Sequence, residues 1–241
     1  MYEERTYREY MNPGESVVFN VVIEETDLWV AADSDLTEHA RSLAQECRNA
    51  VSEMGREHPE FITSLSPVFF QTEHPLLKTM MRGAGLADVG PMAAVAGAIS
   101  EYVGSRLLAE GFTKEVFVEN GGDIFIHSLS ERVISIYAGK SPFSEKLGIR
   151  LRADQFPTGI CTSAGTVGHS LSFGNADACV ILAKDTALAD SVATAAGNHL
   201  KTPEDMNATL DFVKNIPGIT GCVLIIGEHL GVWGDIELIQ I

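Results

Sequence analysis

Residues 15–35, ESVVFNVVIEETDLWVAADSD, contain two runs of β-forming residues separated by a short polar segment. The runs at 17–23 and 28–32 are rich in valine and carry aromatic residues, which are favoured in strands. The EETD sequence between them has the length and polarity of a turn. The stretch is therefore predicted to form a β-hairpin, whose strands pair antiparallel because so short a connection cannot join parallel strands.

Two amphipathic helices are predicted after this hairpin. SDLTEHARSLAQECRNAVSEMG, residues 34–55, begins with a capping residue and repeats apolar residues at helical spacing. DVGPMAAVAGAISEYVGSRLLAEG, residues 88–111, places Pro91 near its start and carries a second apolar stripe. The intervening residues 55–88 contain three prolines and are predicted to be irregular.

KEVFVENGGDIFIHS, residues 114–128, supplies two short apolar runs separated by a glycine turn, and so closes a β-β-α-α-β-β unit. The second half of the chain is predicted to repeat this order. Its strands are expected in RVISIYAGK (132–140) and KLGIRLRA (146–153), its helices in DTALADSVATAAGNHL (185–200) and PEDMNATLDFVKN (203–215), and its closing hairpin in GCVLIIG (221–227) and LGVWGDIELIQI (230–241).

The predicted fold class is therefore α+β, with two β-β-α-α-β-β repeats whose antiparallel sheets are covered by helix pairs. Residues 1–241 are expected to form one domain made of two similar halves, at about 15–128 and 132–241. The edges of such sheets often pair between molecules, so a homo-oligomer is also expected.

Composition limits the function classes. The 241 residues carry 33 Asp and Glu against 17 Lys and Arg, a formal charge of −16, which would repel a nucleic-acid backbone. The start, MYEERTYREYMNPG, has no apolar signal-peptide region, and no run of residues is long and apolar enough to span a bilayer. We therefore expect a cytoplasmic protein with no nucleic-acid or membrane partner.

The four cysteines show no CxxC spacing, which argues against a zinc cage or a thioredoxin-like motif. Three of them lie in or beside predicted strands, where a free thiol behaves as a small buried residue. Cys161 is one of these three, but it also lies in a segment of small residues, which leaves a functional role open for it.

That segment is GICTSAGTVGHSLSFGNADAC, residues 159–179, which is predicted to be a loop. Gly, Ser and Thr let consecutive backbone N–H groups approach an anion. Thr162, Ser163 and Thr166 add hydroxyl donors, and His169 adds a group that titrates near neutral pH. The alternative interpretation is a tightly packed structural loop with an ordinary hydrogen-bonded histidine.

Two other places carry candidate polar groups. In ENGGDIF, Asn120 and Asp123 flank a glycine turn, which is either a binding turn or simply a good hairpin turn. In ALADSVATAAGN, Asp190 and Thr194 are four residues apart, so their oxygens share one helix face. Such oxygens can hold Mg²⁺; the alternative is a surface Asp and a Thr bonded to its own helix.

The GGD turn, the Thr-Ser-Gly loop leading to a histidine and the A-D-x-x-x-T-A helix, in that order, resemble the ApbE family of FAD:protein FMN transferases. The resemblance extends through most of the chain from about Asp88. It implies a pair of tunnelling-fold-like halves with the site between them. It also implies Mg²⁺-assisted attack on the pyrophosphate of FAD, which moves FMN to a Thr or Ser of an acceptor protein, or to water, and releases AMP.

The resemblance also implies roles for individual residues. The catalytic candidates are His169, as general acid or base, and Asp123. The flavin and phosphate contacts are Asn120, Gly121, Gly122, Thr162, Ser163, Gly165 and Thr166. The metal ligands are Asp190, Thr194 and the backbone carbonyl of Ala93.

The sequence departs from the family pattern in several places. Ala94 stands where the family has a lysine, the amide of the GGD motif is shifted by one place, and GHSLSFGNADA replaces the His-x-x-Asp-Pro segment. We expect a shorter, cytoplasmic ApbE-like branch. Three functions stay open: a Mg²⁺-dependent FMN transferase or FAD pyrophosphatase, a flavin- or nucleotide-binding module without chemistry, and another enzyme acting on a phosphorylated or carboxylated small molecule through His169 and Cys161.

Overall fold

The computed structural model describes residue 8, residues 13–165 and residues 174–241. The strands of this part are β1 (Val17–Ile23), β2 (Thr26–Ala32), β3 (Val116–Asn120), β4 (Asp123–His127), β5 (Arg132–Ser135), β6 (Leu147–Leu151), β7 (Thr158–Ser163), β8 (Ala178–Ala183), β9 (Ile219–Ile226), β10 (His229–Gly234) and β11 (Glu237–Gln240). The helices are α1 (Thr37–Glu57), α2 (Glu60–Thr63), α3 (Pro75–Ala87), α4 (Val95–Ala109), α5 (Thr186–His199) and α6 (Met206–Lys214), and a 3-10 turn (Pro91–Ala94) precedes α4.

The strands form a large sheet and a small one. The large sheet has eight strands in the order β1-β2-β3-β4-β7-β8-β9-β10, and every neighbouring pair is antiparallel. The small sheet has the order β11-β6-β5. The predicted α+β class with antiparallel strands is confirmed, and the two halves join into one continuous sheet where β4 pairs with β7.

The second β-β-α-α-β-β unit lies later in the chain than the sequence analysis placed it. It consists of β7 and β8, then α5 and α6, then β9 and β10. The predicted strands at 132–140 and 146–153 are present as β5 and β6 and pair with each other, but they belong to the small sheet, which β11 completes. A pattern of alternating apolar residues predicts that a segment is a strand, but it does not predict which sheet the strand joins. For this reason the two strands were assigned to the wrong unit.

Three apolar cores hold these layers together. Helices α1, α3 and α4 cover the first four strands of the large sheet on one face. Helices α5 and α6 cover the same face of the second half. The small sheet packs on the opposite face, against side chains of β4, β7, β8 and β9. The centre of the large sheet is therefore buried on both sides, as continuous apolar strands require.

Helix α3 lies inside the stretch that was predicted to be irregular. Pro75 occupies its first turn, where proline is tolerated, so this proline marks a helix start. Gly83 and Gly85 weakened the helical pattern in the sequence. Gly83 is needed for packing, because a Cβ there would lie 2.9 Å from the carbonyl oxygen of Ala187 in α5.

Within the described residues, no single helix is long and apolar enough to cross a membrane. Pro75–Ala87 and Pro91–Ala109 meet the length and composition criteria only when taken together, and they are bent by 107° relative to each other.

Candidate functional site

The glycine turn predicted between Asn120 and Asp123 joins β3 to β4. Gly121 and Gly122 have φ values of 68° and 99°, and two successive left-handed residues suit a tight two-residue hairpin turn. The N–H of Gly122 donates to Oε1 of Glu119 at 2.7 Å. The turn is thus held by a carboxylate of the preceding strand.

Asp123 is the first residue of β4, and its side chain is buried on the helix-covered face. Its carboxylate accepts the backbone N–H of Thr162 and is hydrogen-bonded to the thiol of Cys161, which is its partner across the β4–β7 pair. Burial and then the nearby charge of Asp190 hold the pKa of Asp123 well above the usual value of an aspartate. Its surroundings therefore favour the protonated form of this carboxyl group.

Asp190 lies on α5 and faces the first turn of α4. Its Oδ2 accepts the N–H of Gly97 at 2.8 Å, and the N–H of Ala96 also donates to this carboxylate. Burial raises the pKa of Asp190 to about 7, although these two hydrogen bonds favour the charged form. Both carboxylates of the site are thus desolvated.

A close approach of α4 to α5 places Asp190. A Cβ on Gly97 would lie 2.6 Å from the carbonyl oxygen of Thr186 and 2.8 Å from Cβ of Asp190, so only glycine fits there. Glu101, one turn further along α4, accepts the N–H of Thr186 at 2.7 Å and caps the start of α5. Small residues and a cap therefore fix the helix that carries Asp190.

The turn and α4 are also bonded to each other. Nδ2 of Asn120 donates to the carbonyl oxygen of Ala96 at 3.3 Å, and Oγ of Ser100 donates to the carbonyl oxygen of Asp123 at 2.9 Å. The β3–β4 turn, the start of α4 and the first half of α5 therefore converge at one place.

A cavity of about 1020 Å³ opens at this place. Its volume is at the upper end of the range for ligand pockets, about 300–1,000 Å³. Apolar residues at the start of α4 and the aromatic pair Trp29 and Phe117 form part of its wall. The predicted residues among its lining are Asn120, Gly121, Gly122, Asp123 and Thr162.

The remaining predicted binding residues do not all face this cavity. Thr162 and Ser163 lie on strand β7 and not in a loop, so their side chains point to opposite faces of the sheet. The side chain of Ser163 is buried away from the cavity, and its Oγ has no hydrogen-bond partner among the described residues. Gly165 lies against Gly174, where a Cβ on Gly165 would be 2.2 Å from the carbonyl oxygen of Gly174.

Thr166 and His169 lie outside the described residues. Gly174 follows that segment and packs against the end of α5. A Cβ added to Gly174 would lie 1.8 Å from the carbonyl oxygen of Gly197, so only glycine fits there.

The predicted metal ligands lie on neighbouring elements. Thr194 is half-buried on α5, one turn after Asp190, and Ala93 is half-buried in the 3-10 turn, which contacts α5. In the part of the chain that the structure describes, no three His, Cys, Asp or Glu side chains are grouped to hold a metal. A ligand set of one carboxylate, one hydroxyl and one carbonyl does not require such a group.

The charges of this place fit a hard cation. Over residues 8, 13–165 and 174–241, neither Asp123 nor Asp190 forms an ion pair with a lysine or an arginine. Two buried carboxylates without a cationic partner are costly when charged. A divalent cation beside them would supply the missing positive charge.

The thiols are free and buried. Cys47, Cys161, Cys179 and Cys222 form no disulfide, and all four are buried. The thiol of Cys161 donates to the carbonyl oxygen of Thr186 at 3.4 Å. Burial, and then the charges of Asp123 and Asp190, hold its pKa well above the usual value, which opposes a role as a nucleophilic thiolate.

A charged cluster that was not predicted from the sequence lies beside the turn and is formed by Arg8, Asp27 and Glu119. The guanidinium of Arg8 binds both carboxylates. One signal for it was present in the sequence: Glu119 is a charged residue near the end of an apolar strand, directly before the NGGD residues of the turn.

The sequence is similar to a known protein family and to several relatives. The model of a family described as AbpE bacteria matches residues 8–216. A UPF0280 protein of Methanococcus aeolicus is 42% identical over 185 residues, which cover 75% of this chain and 74% of that relative. The UPF0280 protein MJ1526 of Methanocaldococcus jannaschii is 35% identical over 228 residues, which cover 91% of this chain and 92% of that relative.

Two solved structures of flavin transferases are similar in fold to this chain. The flavin transferase ApbE from Vibrio cholerae has a TM-score of 0.60 and 12% identity, with 91% of this chain and 96% of that chain covered. The apo form of the flavinyl transferase ApbE from Pseudomonas stutzeri has a TM-score of 0.58 and 13% identity, with 90% and 93% covered. The predicted resemblance to ApbE proteins is thereby confirmed, and the chain belongs to the AbpE bacteria family.

Proposed function

We propose that this protein is a Mg²⁺-dependent flavin phosphoryl-transfer enzyme, which moves FMN from FAD to a hydroxyl of an acceptor protein or to water. The observation that carries this proposal is the interacting pair of buried carboxylates, Asp123 and Asp190, of which Asp123 lines a cavity of dinucleotide size, whereas Asp190 is not among its lining residues. The shared fold with ApbE flavin transferases supports the choice of flavin over other phosphorylated ligands.

The β3–β4 turn forms the flavin side of the proposed site. Gly121 and Gly122 carry no side chains, so a planar ring can approach the backbone of the turn closely. The amide of Asn120 and the hydroxyl of Thr162 supply polar contacts, and the apolar wall from Met92 to Ile99 excludes water from the ring.

Asp190, Thr194 and the carbonyl of Ala93 would hold Mg²⁺, which takes few protein oxygens and completes its shell with water and substrate phosphate oxygens. When bound, Mg²⁺ would neutralise charge that develops on the pyrophosphate. Ala94 stands where the family has a lysine, so this position offers no positively charged side chain that could contact the phosphates.

Asp123 is proposed to take the proton from the attacking hydroxyl. It lines the cavity, and burial raises its pKa above the usual value of an aspartate, which makes it a stronger base. The hydroxyl oxygen forms a new bond to the phosphorus of the FMN half, the bond from that phosphorus to the bridging oxygen breaks, and AMP leaves with the electron pair.

Ligand-induced thermal stabilisation tests this proposal. FAD, FMN and AMP are compared with and without Mg²⁺, for the wild type, for Asp123→Asn and for the control Asp211→Asn, whose side chain is exposed on α6. A ligand at a hundredfold excess over its dissociation constant adds about 2.7 kcal/mol of stability. We expect FAD to stabilise all three proteins, and we expect the wild type and the control to form AMP and FMN.

Two results would redirect the assignment. Saturable FAD binding by the wild type without any AMP would leave a flavin-binding module without chemistry. No effect of FAD on the melting temperature would reject the flavin and favour another enzyme on the same scaffold.

A further inference from the structure

Arg8 reaches the large sheet beside the glycine turn. Its Nε donates to Oε2 of Glu119 at 2.6 Å, its Nη1 donates to Oδ1 of Asp27 at 2.8 Å, and its Nη2 donates to the carbonyl oxygen of Asp27 at 2.8 Å. Three donors of one rigid guanidinium are thus fixed on two neighbouring strands, β2 and β3.

Glu119 connects this guanidinium to the turn. Its side chain is 0% exposed, and its second oxygen, Oε1, accepts the N–H of Gly122 at 2.7 Å. The two oxygens of one buried carboxylate therefore bind Arg8 on one side and the turn on the other.

The composition of the turn makes this outside contact important. Its two central residues, Gly121 and Gly122, have no side chains, and glycine has the largest conformational freedom to lose on folding. A buried carboxylate that loses its cation is strongly destabilised and would turn to solvent or take up a proton. Glu119 would then no longer hold Gly122 in place.

We propose that Arg8 is a positioning residue for the candidate site, acting through Glu119 to fix the Gly121–Gly122 turn and, with it, Asp123 and the flavin side of the cavity. The link to flavin rests on the proposed function, whereas the link from Arg8 to the turn rests on these hydrogen bonds alone. Nothing in the family resemblance assigned Arg8, Asp27 or Glu119 a role.

Amide hydrogen exchange at Gly122 tests the link to the turn without any ligand. The variants are Arg8→Gln, the conservative Arg8→Lys, and the control Arg152→Gln, whose guanidinium binds Asp235 at the small sheet. The amide of Val118 on the same strand reports on global unfolding. We expect Arg8→Gln to raise the exchange rate of Gly122 by about tenfold, as for one lost hydrogen bond to a charged group, with Val118 unchanged.

The conservative and paired variants separate positioning from a general loss of stability. Arg8→Lys should protect the Gly122 amide from exchange better than Arg8→Gln does, because lysine keeps the positive charge. The protection should be only partial, because lysine lacks the planar set of donors of the guanidinium. In a Glu119→Gln background, Arg8→Gln should have little further effect on the exchange rate of the Gly122 amide, because Arg8 then no longer acts through a carboxylate. Unchanged exchange at Gly122 in Arg8→Gln, or an equal increase in the Glu119→Gln background, would overturn the proposal.

Kinetics with FAD give the second readout. Arg8→Gln should raise KM for FAD by about tenfold and change kcat less, since the turn binds the flavin and does not touch the reacting phosphorus. If the wild type neither binds nor cleaves FAD, the proposed function fails, and the exchange experiment still decides whether Arg8 positions the turn.

Discussion

Asp123 and Asp190 come from different halves of the chain, and both carboxylates are buried close enough that the charge of Asp190 raises the pKa of Asp123. Strand β4 supplies the first and helix α5 the second. They interact because the two halves share one sheet and because Gly97 lets α4 approach α5 closely. Two carboxylates of like charge in a desolvated site are stabilised by a divalent cation or by a shared proton.

The first prediction concerns pH. Because the pKa of Asp190 is about 7 in the folded protein and lower in the unfolded chain, the folded state binds more protons between about pH 4 and pH 7. Stability in the presence of EDTA should therefore fall as the pH rises through this window. One pKa unit corresponds to about 1.4 kcal/mol, so the loss is on the order of a few kcal/mol.

Urea unfolding at pH 5 and pH 8 measures this dependence. Asp190→Asn should reduce it, since an amide accepts the N–H of Gly97 without titrating, while Asp123 keeps its own contribution. An equal pH dependence in the wild type and in Asp190→Asn would contradict the assignment of this group.

The second prediction concerns the metal. At pH 8, Mg²⁺ should raise the melting temperature of the wild type, because it compensates carboxylates that are charged and buried. Asp190→Asn should abolish most of this shift, whereas Asp211→Asn should keep it. A shift of equal size in all three proteins would mean that Mg²⁺ binds elsewhere.

The third prediction concerns helix packing. Gly97→Ala should cost about 1–3 kcal/mol of stability, because its Cβ would overlap the carbonyl oxygen of Thr186 and the Cβ of Asp190. For a chain of this length that lowers the melting temperature by about 2–4 °C for each kcal/mol. It should also weaken Mg²⁺ binding, since Asp190 must move. Full stability with full Mg²⁺ response would show that α4 and α5 lie further apart.

The fourth prediction concerns the thiols. All four cysteines are buried, and burial raises the pKa of Cys179 to about 12. A thiol reagent such as DTNB should therefore react slowly with the native protein and titrate four thiols after unfolding. A fast-reacting native thiol that Cys161→Ala removes would instead support an exposed, reactive Cys161.

The sequence predicted the parts of the site that depend on local pattern. The Gly121–Gly122 turn follows from a glycine pair between two apolar runs, and the helical spacing of Asp190 and Thr194 puts both on α5. The sequence could not place β7, because its glycine, cysteine and hydroxyl residues have the composition of a loop. Its neighbours β4 and β8 make it a strand, and they lie far apart in the sequence.

Long-range pairs were also beyond the sequence. Arg8 and Glu119 are 111 residues apart, and no local pattern relates them. The cavity next to Asp123 depends in the same way on the small sheet, whose strand β11 comes from the end of the chain.

The most direct test of the central claim is whether the purified protein releases AMP and FMN from FAD in the presence of Mg²⁺. The reaction is run with a Thr- or Ser-containing acceptor protein or in water alone, and chromatography measures the products. The account predicts equal amounts of AMP and of FMN, free or attached to the acceptor, which disappear with EDTA and in Asp190→Asn but persist in Asp211→Asn. Intact FAD after prolonged incubation with the wild type and Mg²⁺, with acceptor protein present, would contradict it.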